Sequence, residues 1–393
     1  MIGRSKILIF GILGIALLYG DVEHIYAADK KEVIVITDLY HPYQDPGDNL
    51  DLINAFALEE VNLKAILLDI TDSFLKKVSD HPFLWQDPYG PRQAGFVPVA
   101  QLNHIFRKNV PCAMGPITAM TCEEDKMEEE IAGGMDAVHL LLKTLQKSRN
   151  KVEVVSFGSA RILAVAFNRD SLLLKRKIGK IHLCASKAIE AGVPYRNDND
   201  IWGGEWNVAL DVYAFTRIIK SGLPIALYPC AGKNGVFECD SNSSFWKLDS
   251  MDFLRRMNPL LQCYIHFVLD KIPVDDRFLD RMNDGAPYSE GRAIPPVDFK
   301  IWESAVWLNV TERELVQTLT GDYLIKRKKD VLPTDYVLEN SLLPCIVTLD
   351  DKKIVRFVYT DRQSNIEIYY RPDADLNQKA LNSAIPRLMC SYR

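Results

Sequence analysis

Four aspartates lie close together directly after the first predicted strand of the chain. They fall within a stretch of fourteen positions: Asp38, Asp45, Asp48 and Asp51. Their charges repel one another unless a cation, sugar hydroxyls or the amides of a helix N-terminus compensate them. This grouping therefore predicts a site for a cation or a sugar. The alternative interpretation is local, with Asp48 or Asn49 capping the next helix and Asp51 in its first turn.

Strands and helices alternate around this aspartate loop. The predicted strands are β-branched runs without amphipathic alternation, at 32–37, 63–69, 152–157, 180–185 and 224–228. The predicted helices are 50–60, 132–147, 162–168 and 212–220. Such runs are typical of strands buried on both faces of a parallel sheet. The pattern predicts an α/β fold with a mainly parallel, doubly wound sheet, whose ligands lie beyond the carboxyl ends of the strands.

The character of the sequence changes near residue 330. Three short strands joined by polar turns are predicted at 344–349, 354–359 and 366–370. The chain therefore divides into an α/β domain at 29–330 and a small β-rich extension at 331–393 packed on it, after a segment at 1–28.

Residues 1–28 have the layout of a secretory signal peptide. Arg4 and Lys6 precede an apolar run at 7–19, and Ala27 and Ala28 follow a polar stretch. The run is shorter than the roughly 20 helical residues that cross a bilayer. We expect an exported protein, periplasmic or extracellular, without a membrane span after cleavage. An uncleaved anchor is the alternative.

The net charge of the chain indicates the class of its ligand. A net charge of -5 without a basic face argues against binding of nucleic acid and favours a small polar ligand.

The eight cysteines are scattered along the sequence, and several occupy apolar runs, so they are interpreted as core residues. Cys230 and Cys239 are close enough in sequence to leave a local disulfide open. The oligomeric state is open too, with a homo-oligomer among the alternatives.

Three segments, in order, resemble the nucleoside hydrolase (inosine-uridine preferring) family. ITDLYHPYQDPGDNLDL at 36–52 is similar to its aspartate-rich loop, with a DPG turn before a helix. VVSFGSARILAVAFNRD at 154–170 is similar to its strand, glycine turn and alanine-rich helix. GGEWNVALDVYAFTRIIKSGLPIALYP at 203–229 resembles its Glu-x-Asn stretch. The resemblance covers about residues 32–320 and implies the fold and activity of a divergent, exported member.

The resemblance also implies roles for individual residues. The family's calcium-binding and water-activating aspartates fall on Asp38, Asp45 and Asp48, with Asp51 as a substitute. Asp45 or Asp48 would be the base. The family's sugar-contacting pair falls on Glu205 and Asn207. Hard oxygen ligands suit Ca²⁺, and carboxylates suit the oxocarbenium-like transition state of N-ribosyl cleavage.

At three positions the chain departs from the family pattern. Arg161 stands where the family has a threonine whose carbonyl binds the metal, and its cation could take the metal's place or point away. The late His-Asp pair falls on Trp302 and Glu303, of which Glu303 could still bind a cation. No histidine follows His266. His41, in the aspartate loop, could take over the lost contact to the leaving group.

Three functions remain open at this stage. The first is an exported hydrolase of an N-ribosyl or related glycosidic bond, with a nucleoside or glycoside as its ligand. The second is a noncatalytic sugar- or nucleoside-binding protein on the same fold. The third is a hydrolase of another glycoside.

Overall fold

A computed structural model describes residues 30–41, 46–69, 93–128, 134–195, 201–289, 291–294 and 299–393. Its strands are β1 Lys31–Thr37, β2 Tyr40–His41, β3 Val61–Leu68, β4 Gln93–Ala94, β5 Cys112–Met114, β6 Val152–Ser156, β7 Ile178–Cys184, β8 Ala188–Glu190, β9 Ile225–Tyr228, β10 Trp246–Leu248, β11 Phe299–Ile301, β12 Arg313–Gln317, β13 Tyr323–Arg327, β14 Tyr336–Leu338, β15 Ser341–Leu349, β16 Val355–Tyr359 and β17 Ile366–Tyr370. Its α-helices are α1 Pro46–Ala57, α2 Phe96–Ile105, α3 Asp136–Lys147, α4 Arg161–Arg169, α5 Ser171–Lys177, α6 Trp206–Leu210, α7 Val212–Ile219, α8 Pro259–Leu269, α9 Ala305–Thr311 and α10 Ala374–Ser391.

A ten-stranded sheet in the order β5-β3-β1-β6-β7-β9-β17-β15-β16-β8 forms the centre of the molecule. The pairs from β5 to β17 are parallel, whereas β15 pairs antiparallel with both β17 and β16. The predicted α/β fold with a mainly parallel, doubly wound sheet is confirmed. Strand order reverses between β1 and β6, because the chain runs outward from β1 through β3 to β5 and then returns to β6. This is the position at which doubly wound sheets form a ligand crevice.

Each central strand is buried on both faces, as its apolar sequence predicts. In β1, Val33 and Val35 join the core on one face of the sheet, while Ile34 and Ile36 join the core on the other. β9 follows the same rule, with Tyr228 on the first side and Leu227 on the second. Successive side chains of a strand point to opposite faces of the sheet. Because helices cover both faces, both sets of side chains are apolar, and polar and apolar residues do not alternate along the strand.

The C-terminal strands belong to the central sheet itself. β17 pairs with β9 through Ile366 opposite Ile225, and β15 and β16 continue the sheet outward. The three strands predicted at 344–349, 354–359 and 366–370 are therefore present, but they lie inside the main sheet, between β9 and β8. The segment ends in α10, a helix capped by the Asp373 side chain, which accepts a hydrogen bond from the Leu376 amide at 2.9 Å.

The structure corrects the local interpretation of the aspartate loop. Helix α1 begins at Pro46, four residues before its predicted start. Proline suits a first helical position, where no intrahelical amide bond is required. Asp48 consequently lies in the first turn, so neither it nor Asn49 is the N-cap, and Asp51 lies in the second turn.

Two predictions concern residues that the structure does not describe. These are the signal peptide at residues 1–28 and the role of Asp45. Within the described ranges, no helix combines the length and the apolar character that crossing a membrane requires. All eight cysteines, including Cys230 and Cys239, are free thiols.

Candidate functional site

The carboxyl ends of four parallel strands meet at the crevice between β1 and β6. The Asp69 amide, after β3, donates to the Thr37 carbonyl of β1 at 2.9 Å, and the Phe157 amide, after β6, donates to the Ile36 carbonyl at 2.8 Å. The Asn207 side-chain amide donates to the carbonyls of Phe157 and Cys184, at 3.3 and 2.9 Å, and so spans the ends of β6 and β7. Side chains directly after these strands share one edge of the sheet.

Asp38 and Asp48 lie at this edge. The Thr37 hydroxyl donates to Asp48 Oδ2 at 2.6 Å and accepts from the Leu39 amide at 3.1 Å. Asp48 is only 4% exposed, whereas Asp38 is half-buried and accepts a hydrogen bond from Trp206 Nε1 at 3.3 Å. The first turn of α1 and the end of β1 therefore hold two carboxylates together.

Two further carboxylates approach from α1 and from the segment before α9. Asp51 accepts from the Ser304 hydroxyl at 3.4 Å, and Glu303 accepts from the Trp302 amide at 3.0 Å. Both side chains are buried. Burial raises the pKa of the Cys184 thiol well above its usual value, and the charges of Glu303, Asp51, Asp48 and Glu205 raise it further. Four carboxylates thus act on one thiol at the end of β7.

Glu205 and Asn207 hold the backbone together around α6. Glu205 is the N-cap of α6, and its carboxylate accepts from the amides of Ser186, Asn207 and Val208 at 2.6 to 2.8 Å. Burial raises the pKa of Glu205 to about 7, although the three amides act in the opposite direction. In both residues predicted to contact the sugar, therefore, side-chain atoms bond to the protein backbone: the Glu205 carboxylate and the Asn207 NH2 group.

Arg161 lies at the start of α4 and is fully buried. Its Nε donates to Asp211 Oδ2 at 2.7 Å, its Nη1 to the Pro116 and Ile117 carbonyls at 3.1 and 3.3 Å, and its Nη2 to the Leu210 carbonyl at 3.0 Å. All three guanidinium nitrogens therefore join α4 to the segments after β5 and before α7. The arginine stabilises the packing below the crevice.

His41 is buried on β2, with its ring stacked on Phe267 of α8 at 5.4 Å between centroids. Neither ring nitrogen has a hydrogen-bond partner in the described part of the chain, and the nearby Ile272 backbone is outside bonding geometry. Burial lowers the pKa of His41, so the ring is neutral at pH 7. In the neutral ring one nitrogen carries a proton and can donate one hydrogen bond.

Solved structures with similar folds cover almost the whole chain. A plant nucleoside hydrolase, PpNRh1, aligns with a TM-score of 0.50 at 14% identity, covering 91% of this chain and 99% of its own. The chain has the nucleoside-hydrolase fold. An inosine-uridine preferring nucleoside hydrolase from Bacillus anthracis gives a TM-score of 0.48 at 15% identity, covering 92% and 99%. The type III effector XopQ, in complex with adenosine diphosphate ribose, gives 0.40 at 12%, covering 95% and 97%. No protein-family model and no curated protein sequence matches the chain.

On this nucleoside-hydrolase fold, the carboxylates have the right chemistry for Ca²⁺, since all offer hard oxygen atoms. In the described ranges, which leave out Asp45, no group of three or more His, Cys, Asp or Glu side chains is placed to hold a metal. Asp48 and Asp51 accept hydrogen bonds from Thr37 and Ser304.

Sequence reasoning missed Asp69, which follows β3 at the same edge of the nucleoside-hydrolase fold. Its side chain is 0% exposed, and neither carboxyl oxygen has a hydrogen-bond partner among the described residues. Ser159 is close enough to favour the ionised carboxyl but is outside hydrogen-bonding geometry. The available signal was its position, since Asp69 ends the predicted strand 63–69 much as Asp38 follows 32–37.

The pH dependence of stability should reveal Asp69. Burial raises its pKa from 3.8 to about 7, so the folded protein keeps a proton that the unfolded chain has lost. Stability therefore falls as pH rises from about 4 to about 7, by roughly 4 kcal/mol at 1.36 kcal/mol per pKa unit. We expect Asp69→Asn to remove this component. The measurement is the free energy of unfolding in urea, for the wild type and the variant, between pH 4 and pH 8. The same dependence on pH in both proteins would contradict a raised pKa of Asp69.

Proposed function

We propose that this chain is a hydrolase of nucleoside-hydrolase type that cleaves an N-ribosyl or related glycosidic bond. The observation that carries the proposal is the gathering of carboxylates at the β1/β6 crevice: Asp38, Asp48, Asp51 and Glu303. Glycosidic cleavage passes through a state with positive charge on the sugar, and negative side chains stabilise that state. A doubly wound sheet places ligands at this crevice.

In the proposed reaction, a carboxylate removes one proton from water and the oxygen bonds to the anomeric carbon. The bond to the leaving nitrogen breaks, and that nitrogen keeps the electron pair and is protonated by solvent. Asp45 and Asp48 are the proposed bases, and the Thr37 hydroxyl fixes the orientation of Asp48. The remaining carboxylates stabilise the sugar cation.

We assign the contact with the leaving group to His41, which lies on β2, four residues after the end of β1. A neutral, buried imidazole with no partner among the described residues can donate one hydrogen bond to a departing base. Phe267 packs on its ring and so limits its rotation. His41 would thereby replace the contact that the absent late histidine makes in the family.

The direct test is a reducing-sugar assay on a panel of purine and pyrimidine nucleosides. We expect the purified protein to release ribose from at least one of them, with a rate that depends on pH through the carboxylate base. Release from a different glycoside alone would redirect the proposal to that substrate class. No release from any glycoside would remove the hydrolase proposal.

Calcium at the aspartate loop is a separate proposal, with Asp38, Asp45, Asp48, Asp51 and Glu303 as its ligands. Calorimetric titration of the metal-free protein with Ca²⁺ tests it, with Mg²⁺ as a control because that ion requires stricter octahedral geometry. Heat of Ca²⁺ binding that disappears in Asp51→Asn would support the calcium site. No heat with the wild type would contradict it, and the proposed hydrolysis would then depend on protein groups alone.

A noncatalytic sugar- or nucleoside-binding protein on the same fold is the second candidate, and one observation favours it. No histidine follows His266, so the position of the family's late His-Asp pair, Trp302 and Glu303, offers no histidine to the leaving group. This candidate predicts ribose or nucleoside binding in calorimetry without released sugar over long incubation. The two functions are thus separated by measuring affinity and turnover on the same preparation.

A further inference from the structure

Asp69 differs from the other buried acids around the crevice because no described group donates a hydrogen bond to its carboxyl oxygens. Asp48 accepts from Thr37, Glu205 from three amides, and Asp211 from Arg161 and from the amides of Met120 and Ala214. In the part of the chain that the structure describes, both Asp69 oxygens are without a hydrogen-bond partner. A buried polar group without a partner is costly, so such groups in natural proteins call for an explanation.

The surroundings of Asp69 place it inside the crevice. A Cβ atom added to Gly158, directly after β6, would lie 2.8 Å from Asp69 Oδ2 and 3.2 Å from the Asp38 amide nitrogen. The carboxyl of Asp69 therefore lies against the turn that follows β6 and next to the residue that follows β1. Only a residue without a side chain fits between them at this distance.

We propose that Asp69 accepts a hydrogen bond from a hydroxyl of the ligand bound at the β1/β6 crevice. This inference rests on the proposed function, because it takes a sugar as the ligand. Asp38 is half-buried, so a ligand that contacts Asp38 from solvent would bring a hydroxyl toward Asp69.

The chemistry of the surroundings favours a neutral donor over a cation. The positive charge of Arg161 acts on Asp69, although the guanidinium nitrogens are committed to Asp211 and to backbone carbonyls. A second cation at Asp69 would be repelled by that charge. A hydroxyl is neutral and small, and it supplies the single donor that an orphan carboxyl oxygen requires. The ligand class is therefore a polyol, such as a furanose with free hydroxyls.

Calorimetry with D-ribose and its 2-deoxy, 3-deoxy and 5-deoxy forms tests the contact. We expect Asp69→Leu, which removes both acceptor oxygens, to weaken ribose binding at least tenfold at pH 8, where the wild-type carboxyl is ionised. We also expect one deoxy sugar to bind weakly to the wild type, while Asp69→Leu no longer distinguishes it from ribose. A purely structural role would not remove discrimination at one hydroxyl. The exposed Asp136, in the first turn of α3, provides the matched control Asp136→Leu, with unchanged affinity.

Gly158→Ala provides an independent variant in which Asp69 remains. Its new methyl group meets Asp69 Oδ2 at 2.8 Å and must displace the carboxyl. We expect the same loss of discrimination between ribose and one deoxy sugar, in a protein whose circular dichroism spectrum matches the wild type. Equal affinities for all sugars in the wild type, no ribose binding, or unchanged discrimination in Asp69→Leu would each overturn the proposal. The nucleoside assay decides the proposed function separately, since it measures released sugar rather than the Asp69 contact.

Discussion

Arg161→Met is expected to lower the free energy of unfolding by about 3–5 kcal/mol, the cost of removing one partner from a buried ion pair. The substitution leaves Asp211 buried without its cation, and it leaves the carbonyls of Pro116, Ile117 and Leu210 without their donor. Methionine fills much of the space of the arginine stem, so the effect reports the charge and hydrogen bonds rather than a cavity. Urea unfolding at pH 7 measures the difference.

The double variant Arg161→Met with Asp211→Asn controls this result. Neutralising Asp211 removes the uncompensated charge, so the double variant should recover part of the stability that Arg161→Met loses. Arg161→Met with wild-type stability and altered calcium or sugar binding would contradict a structural role. It would instead support the sequence-based alternative in which the arginine takes the place of a metal.

Asp48→Asn is expected to lower kcat for the proposed hydrolysis by about 10²–10⁴-fold, the usual contribution of a general base. The amide keeps the shape of the carboxylate and can still accept the hydrogen bond from the Thr37 hydroxyl, but it cannot take a proton from water. Initial rates of sugar release from the best nucleoside of the panel measure the loss. The Michaelis constant should change far less.

The exposed Asp136 again supplies the control, since it is also an aspartate in the first turn of a helix. Asp136→Asn should keep the wild-type rate, and both variants should unfold at similar urea concentrations. If Asp48→Asn retains full activity, the base is Asp45 or another carboxylate of the cluster. If it loses activity only together with its fold, Asp48 has a structural role.

Eight of the ten strands of the central sheet, and four of the ten α-helices in the described residues, could be predicted from short stretches of sequence. The run 32–37 corresponds to β1, and 366–370 coincides with β17, because β-branched residues without polar alternation suit a strand covered on both faces. The start of α1 was misplaced by four residues because the DPG sequence was interpreted as a turn, whereas Pro46 opens the helix. Helix α10 was missed, since its mixed composition lacks a strong apolar stripe.

The sequence by itself determined the α/β architecture and the presence of an aspartate-rich loop after the first strand, since both depend on residues that are neighbours in the chain. Only the tertiary structure decided which polar groups have hydrogen-bond or ion-pair partners within the protein. Arg161 pairs with Asp211 and Asn207 bonds to Phe157, each across 50 positions of sequence, whereas Asp69 has no partner among the described residues. Burial and hydrogen bonding are properties of distant segments brought together, and they separate the carboxylates available to a ligand from those that hold the fold.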